Sequence, residues 1–262
     1  MLQQIPLVLA FSASDPTSGA GLQADVLAVA AMGGHALTVL TGLTAQNTQG
    51  VQRFEPLHAD WLQSQVDSLL ADGVMPHALK AGVLGSAAAV DAVVALKARW
   101  PAVPLVVDPV RASGRGDGFG GAVLFEHMKN ALFPVVDVLT PNWPEAQAFT
   151  GMREPEAAAQ TLLDMGCKAV LLKGEHLPGG QVVNCLYTGG EVPRAWPCQR
   201  LPGQYHGSGC TLASALAALL AGGASLLEAV PQALDYTWQS LAHAFPVGQG
   251  QHIPNRLWRR TP

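Results

Sequence analysis

The chain of 262 residues is 49% hydrophobic and carries a formal net charge of only -4. That composition can bury a large core but offers no basic face to nucleic acid or anionic lipid, so small molecules are the expected partners. Its cysteines, Cys167, Cys185, Cys198 and Cys210, show no C-x-x-C spacing, which argues against a zinc site or a disulfide framework and fits a reducing cytoplasm.

The opening MLQQIPLVLAFSAS has no Lys or Arg before Arg53, so it reads as a buried first strand rather than a secretory signal. From there, apolar runs of strand length alternate with longer helical stretches, the grammar of a parallel sheet. The pattern predicts strand Leu7–Ser12, helix 19–32, strand 36–43, helix Ala59–Ala71, strand 78–83, helix Ala87–Arg99, strand 103–107 and helix 121–132. It continues with strand 135–140, helix 156–165 and strand Ala169–Leu172. A hairpin over 182–187 and 192–197, turning around Thr188, Gly189 and Gly190, comes next, and helices 210–220 and 226–243 follow. Near-continuous Val and Leu in the strands imply that both sheet faces are covered. The apolar run 210–224 is shorter than the roughly 18–20 residues of a membrane span and contains Gly222 and Gly223, so it reads as a core helix. No repeat, linker or composition break divides the chain, which is expected to be one domain over 1–262. The tail 249–262 is basic, poorly patterned and assigned no element.

Polar residues gather where the predicted strands end at their carboxyl side, the ligand edge of an open parallel sheet. Asp15 follows the first strand, Gln46 and Asn47 the second, Asp108 the strand ending at Val107, Asn142 and Glu145 the strand ending at Thr140, and Lys173 the strand ending at Leu172. Asp25 reads as an exposed helix carboxylate, although its neighbours Ala24, Val26, Leu27 and Val29 are apolar. Asp108 suits Mg²⁺ bound largely through water, or caps a neighbouring helix. Asn142 and Glu145 face one side of a turn, for hydrated metal and phosphate or for the helix dipole. Lys173 reaches a phosphate or merely snorkels at a strand end. Gly207, Ser208, Gly209 and Cys210 open an Ala/Leu-rich helix, where amides without an intrahelical partner attract anions. His176 and His206 have no carboxylate partner nearby in sequence and read as loop histidines.

The dinucleotide fingerprint fails, because Gly19 and Gly21 are followed by Ala24, and neither a Walker motif nor a protein-kinase loop set is present. What remains, helix-start donors, a lysine and carboxylates for Mg²⁺, suits phosphoryl transfer.

The motifs SDPTSGAGLQAD, TAQNTQGV, KAGVL, VVDPV, TPNWPEA, LLKGEH and HGSGCTLASALAA, in this order and spacing, resemble the hydroxymethylpyrimidine/phosphomethylpyrimidine kinases of thiamine biosynthesis, in the ribokinase-like superfamily. The resemblance runs from Leu7 to about Gly222. It implies a three-layer α/β/α sandwich with a mostly parallel central sheet and no separate lid domain, ATP and Mg²⁺ as cosubstrates, a homodimer, and successive phosphorylation of 4-amino-5-hydroxymethyl-2-methylpyrimidine and its monophosphate. By position, it implies that Asp25 and Gln46 hydrogen-bond the aminopyrimidine, with Ala13 and Val83 lining its pocket. Asp108 and Glu145 organise Mg²⁺ and phosphates, Asn142 stands beside the nucleotide, and Lys173 touches ATP phosphate. The backbone of Gly207, Ser208, Gly209 and Cys210 forms an anion hole. Cys210 stands where related sugar kinases carry an aspartate base, and a thiol at a helix start is expected to have a lowered pKa.

This chain departs from the family pattern at several points: Ser12-Ala13-Ser14-Asp15 for A-G-S-D, Val83 and Arg111 for methionines, Gly114 for a lysine, and Gln204-Tyr205 for Asn-Thr. Arg111 or Arg115 is a possible stand-in for that lysine. Pyridoxal kinase and a non-catalytic pyrimidine sensor are the alternative readings.

Overall fold

The computed structural model describes residues 5–111, 118–177 and 179–260; the expectations on Gly114 and Arg115 lie outside this set. The elements run β1 (Leu7–Ser12), α1 (Gly21–Ala31), β2 (His35–Leu40), β3 (Gly42–Asn47), β4 (Gly50–Pro56), α2 (Ala59–Ala71), β5 (Ala78–Ala81), α3 (Ala87–Arg99) and β6 (Leu105–Val107). They continue with α4 (Ala122–His127), β7 (Val138–Leu139), α5 (Trp143–Thr150), α6 (Pro155–Asp164), β8 (Ala169–Leu172), β9 (Gln181–Thr188), β10 (Arg194–Gln199), α7 (Ser208–Ala221) and α8 (Leu226–Ala242).

Eight strands form one sheet in the order β10-β9-β8-β7-β6-β5-β1-β2, parallel from β8 to β2 and antiparallel at β9 and β10. Successive side chains of a strand point to opposite faces, and here each face meets its own helical layer. Leu9, Phe11, Leu105, Val107, Val170 and Leu172 pack in the core that holds Leu62, Val93 and Leu162 of α2, α3 and α6. Val8, Val106, Ala169 and Leu171 pack against Ala28, Leu216 and Ala233 of α1, α7 and α8. This two-sided burial is why the strands read as unbroken apolar runs.

Several boundaries differ from expectation for local reasons. The strand expected over 36–43 breaks at Thr41, whose hydroxyl donates to the Val83 carbonyl, and the chain turns into a separate two-stranded sheet of β3 and β4. The expected helix 121–132 holds α-geometry only through His127 and then widens into a π-turn at Met128–Leu132. Pro134 lies in the 3-10 turn Phe133–Val135, which shortens the expected strand 135–140 to β7.

β1 sends the chain outward to β2 and then back across to β5 on its other side, so the winding reverses between β1 and β5. In open α/β sheets the crevice beyond that reversal is where ligands bind. The loops after β1, β5, β6, β7 and β8 all end there.

Candidate active site

The loop after β1 is built around Asp15. Its Oδ1 accepts from the amide and hydroxyl of Thr17 at 2.8 and 2.9 Å, and its Oδ2 from the Ala20 amide at 2.7 Å. His206 Nε2 lies 2.8 Å from the same Oδ2. Burial pushes the Asp15 carboxyl up, but His206 and the loop amides outweigh it and hold the group below the usual carboxylate range. His206 is therefore not the unpartnered loop histidine expected; its carboxylate lies 191 positions upstream, beyond any sequence window.

Through this contact the β1 loop meets the start of α7. Gly207, the N-cap, sits at φ 80, and a Cβ there would collide with the Gly19 carbonyl, so two backbones touch where only glycine fits. The opening turn leaves the amides of Ser208, Gly209 and Cys210 without intrahelical acceptors. A Cβ on Gly209 would lie 2.9 Å from both Asp108 Oδ2 and Lys173 Nζ. The helix start thus rests directly on that pair, whose Nζ–Oδ1 distance is 3.0 Å.

Asn142 and Glu145 form a reciprocal cap on α5, each accepting the other's amide at 2.8 Å. The Lys173 amide donates to Pro141 O at 2.9 Å, and Asn142 and Lys173 form a parallel bridge just beyond β7 and β8, which brings the cap beside the lysine. Burial pushes Glu145 up to about 7, with Asp108 adding repulsion and Lys173 opposing it. Burial alone would depress the Lys173 ammonium, but Asp108 and Glu145 hold it above its ordinary value.

These groups share one cavity of about 700 Å³. One end has an apolar wall of Ala13, Val83 and Phe119, backed by Phe54 edge-on to Phe119 at 5.3 Å. The β3–β4 hairpin closes over this end. The Thr44 hydroxyl donates to Ser14 O at 2.8 Å and receives Gln46 Nε2 at 2.8 Å, which presents the Gln46 amide to the cavity. Asp108, Asn142, Glu145, Lys173 and the α7 start line the middle, and Val182, Leu201, Leu212, Leu234, Trp238 and Leu241 line the far end.

Two expectations are corrected here. Asp25 is not among the cavity-lining residues: it is fully buried, with its oxygens 2.8 and 3.0 Å from Lys80 Nζ and one of them accepting from Ser214 Oγ at 2.7 Å. Lys80 sits in mid-strand on the face turned toward α1 and α7, and it recruits the helix carboxylate inward. Burial depresses its ammonium, but Asp25 first, then Cys210 and Asp108, raise it above its usual range. Cys210 is likewise not an activated thiol. Burial pushes it up to about 11, aided by Asp25 and Asp108 and opposed by Lys80, so desolvation overrides the helix-start field.

Sequence reasoning also passed over Arg256, which is 3% exposed and reaches the α7 start. It lies in the tail that carries no periodic pattern. Among the described residues no helix is long and apolar enough to cross a membrane.

The family model described as phosphomethylpyrimidine kinase matches residues 15–255. A hydroxymethylpyrimidine/phosphomethylpyrimidine kinase of Streptomyces coelicolor is 39% identical over 251 residues, covering 94% of this chain and 92% of that protein. The crystal structure of phosphomethylpyrimidine kinase from Clostridium difficile superimposes with a TM-score of 0.77 at 32% identity, over 90% of this chain and 98% of that one. An ADP complex of Bacillus subtilis pyridoxal kinase does so with a TM-score of 0.86 at 26% identity, over 98% and 100%.

Proposed function

The chain belongs to the phosphomethylpyrimidine kinase family and is a phosphotransferase, and from that premise we propose that it phosphorylates hydroxymethylpyrimidine and then the resulting monophosphate with ATP, as one catalytic domain of a cytoplasmic homodimer. The observation that carries this reading is how closely the α7 opening turn sits on the Lys173–Asp108 pair: a Cβ added at Gly209 would lie 2.9 Å from either partner. It puts amide donors, an ammonium and a carboxylate around the one point where a phosphoryl group would pass.

The cavity supplies the rest. The far apolar end is shaped for a purine ring, with Leu212, Leu234 and Trp238 on its walls. At the other end the pyrimidine lies on Ala13, Val83 and Phe119, and Gln46, its Nε2 held by Thr44 and Ser14, offers its Oε1 as an acceptor to the exocyclic amine. In the first step the substrate hydroxyl oxygen bonds to the γ-phosphorus, the bridging oxygen leaves with ADP, and the hydroxyl proton goes to an oxygen of the transferred phosphoryl group; in the second step the attacking oxygen belongs to the monophosphate. Lys173 and the amides of Ser208, Gly209 and Cys210 meet the charge that spreads over the transferring oxygens.

The carboxylates of Asp108 and Glu145 repel one another, a donor set that suits a divalent cation keeping most of its ligands as water and phosphate oxygens. Mg²⁺ brought with ATP would be held by these two residues and would neutralise phosphate charge. Cys210 stays a neutral thiol at the floor of the cradle, so electrostatics rather than a resident thiolate drive the transfer.

A second reading, pyridoxal phosphorylation, is favoured by the TM-score of 0.86 to a pyridoxal kinase. No feature favours a non-catalytic sensor. Purified protein with ATP and Mg²⁺ is expected to release ADP on addition of hydroxymethylpyrimidine, with the mono- and diphosphate visible by mass spectrometry. Release with pyridoxal alone would transfer the assignment to the second reading, and release with neither would refute both.

A further inference from the structure

The tail that carries no sequence pattern returns to the centre of the molecule. The amide of His206 donates to His252 O and that of His252 to Gln204 O, each at 2.9 Å, and the Asn255 amide donates to Ser240 O at 2.9 Å. This strapping carries Arg256 beneath the opening turn of α7. There Nε donates to Thr211 Oγ1 at 3.0 Å, Nη1 to Ser18 O at 3.2 Å, and Nη2 to Gly19 O and, at 3.3 Å, to Gly207 O. One planar fork thereby ties together the β1 loop, the left-handed N-cap and the first turn of α7.

Every one of these acceptors is neutral. Among the described residues no carboxylate makes an ion pair with Arg256, unlike Lys80 and Lys173; Asp25 and Asp15 act on it through the field and not by contact. A buried cation served only by carbonyls and a hydroxyl is costly to keep. The cost is recovered if an anion visits the neighbouring surface, and the surface in question is the one where the α7 amides emerge.

We propose that Arg256 is a positioning residue for phosphoryl transfer: its fork fixes the Gly19 and Gly207 carbonyls so that the α7 amides aim into the cavity, and its unpaired charge reinforces the positive helix end on the transferring group. The inference rests on the reading of the α7 start as the phosphoryl cradle. It separates Arg256 from an ordinary clamp, which would stabilise the fold without distinguishing one bound phosphate state from another.

The test compares wild type, Arg256→Lys and Arg256→Met by binding of ADP alone and of ADP with aluminium fluoride, which mimics the transferring group, alongside turnover and thermal unfolding. Wild type is expected to bind ADP with aluminium fluoride more tightly than ADP. Arg256→Met should keep ADP affinity and lose that enhancement, with kcat down by about a hundredfold and little change in KM. Arg256→Lys keeps the charge without the fork and should retain part of the effect. Should Arg256→Met not fold, Arg256→Lys serves in its place, together with Thr211→Val, which removes the Nε acceptor and with it the Thr211 hydroxyl's own bond to Gly207 O at 2.8 Å. Variants that lose thermal stability but keep the aluminium fluoride enhancement would overturn the inference while leaving the kinase reading intact. A wild type that turns over neither substrate and shows no enhancement would overturn the cradle and the inference with it.

Discussion

Two buried lysine–aspartate pairs stand close enough in this molecule for Asp108 of one to act on Lys80 of the other, and they behave differently. In the Lys80–Asp25 pair both carboxylate oxygens face the ammonium and Ser214 takes a further bond, with both side chains wholly buried. In the Lys173–Asp108 pair a single oxygen is engaged at 3.0 Å, and both residues line the cavity. The first pair is sealed away from the cavity, so it can only organise its surroundings. The second retains donor and acceptor capacity toward a ligand, so it can do chemistry. Residue type does not distinguish them; what distinguishes them is how many of their polar valences the fold leaves open.

The comparison can be broken at its sealed member first. Asp25→Ala should strand the Lys80 ammonium in the core and lower stability by about 3–5 kcal/mol, measured by urea unfolding. If Asp25→Ala unfolds normally but loses pyrimidine affinity, the sealed pair is a binding site after all. Next, Lys173→Met, which leaves Asp108 and Glu145 facing the cavity, should cost less stability than Asp25→Ala while lowering kcat by about 10²–10³, read by urea unfolding and ADP release; retained turnover would remove Lys173 from the cradle.

A third group sharpens the contrast from the opposite edge of the sheet. Asp137 receives Lys97 and Lys168 at 2.6 and 2.7 Å and the Leu105 amide at 2.8 Å. Burial raises its carboxyl, but the two lysines outweigh burial and leave it below its ordinary value. Its folded pKa is depressed, so its stabilisation is present above the unfolded value near ~3.9 and disappears as pH falls through the folded one. Asp137→Asn should therefore cost about 1–2 kcal/mol at pH 7, with variant and wild-type stabilities converging in acid and kcat unmoved. The smallest effect belongs to Cys210. With its thiol pushed up to about 11, Cys210→Ser should change kcat only a few-fold (~1 kcal/mol), and iodoacetamide at neutral pH should label it slowly. Rapid labelling with loss of turnover would reinstate a thiolate.

The succession of β1, β5, β6, β7 and β8 along the chain, and the placing of Asp108, Asn142, Glu145 and Lys173 at one rim, were legible because these strands, Lys80 in β5 apart, are apolar on both faces, and Asp108, Thr140 and Lys173 mark where β6, β7 and β8 stop. The β3–β4 hairpin was not, because it packs no continuous apolar face: residues such as Leu43, Ala45 and Gln49 stay exposed. Its turn nevertheless had a local signal, since Asn47 Oδ1 caps the Gln49 amide at 2.8 Å ahead of Gly50. Asp25 was misplaced because its partner, a lysine inside an apolar strand, lies 55 positions away. Cys210 was misjudged because a helix-start argument counts the field and omits desolvation. Arg256 had no signal at all, its contacts reaching back as far as 238 positions.

The contact between Gly207 and the Gly19 carbonyl has a bearing on recombination. Two loops almost at opposite ends of the chain are moulded on each other's main chain, so neither can be exchanged alone. A chimera with a relative that splits the Asp15–Gly21 stretch from the Tyr205–Cys210 stretch inherits mismatched halves of one mould, whereas crossovers that transplant both together keep it whole.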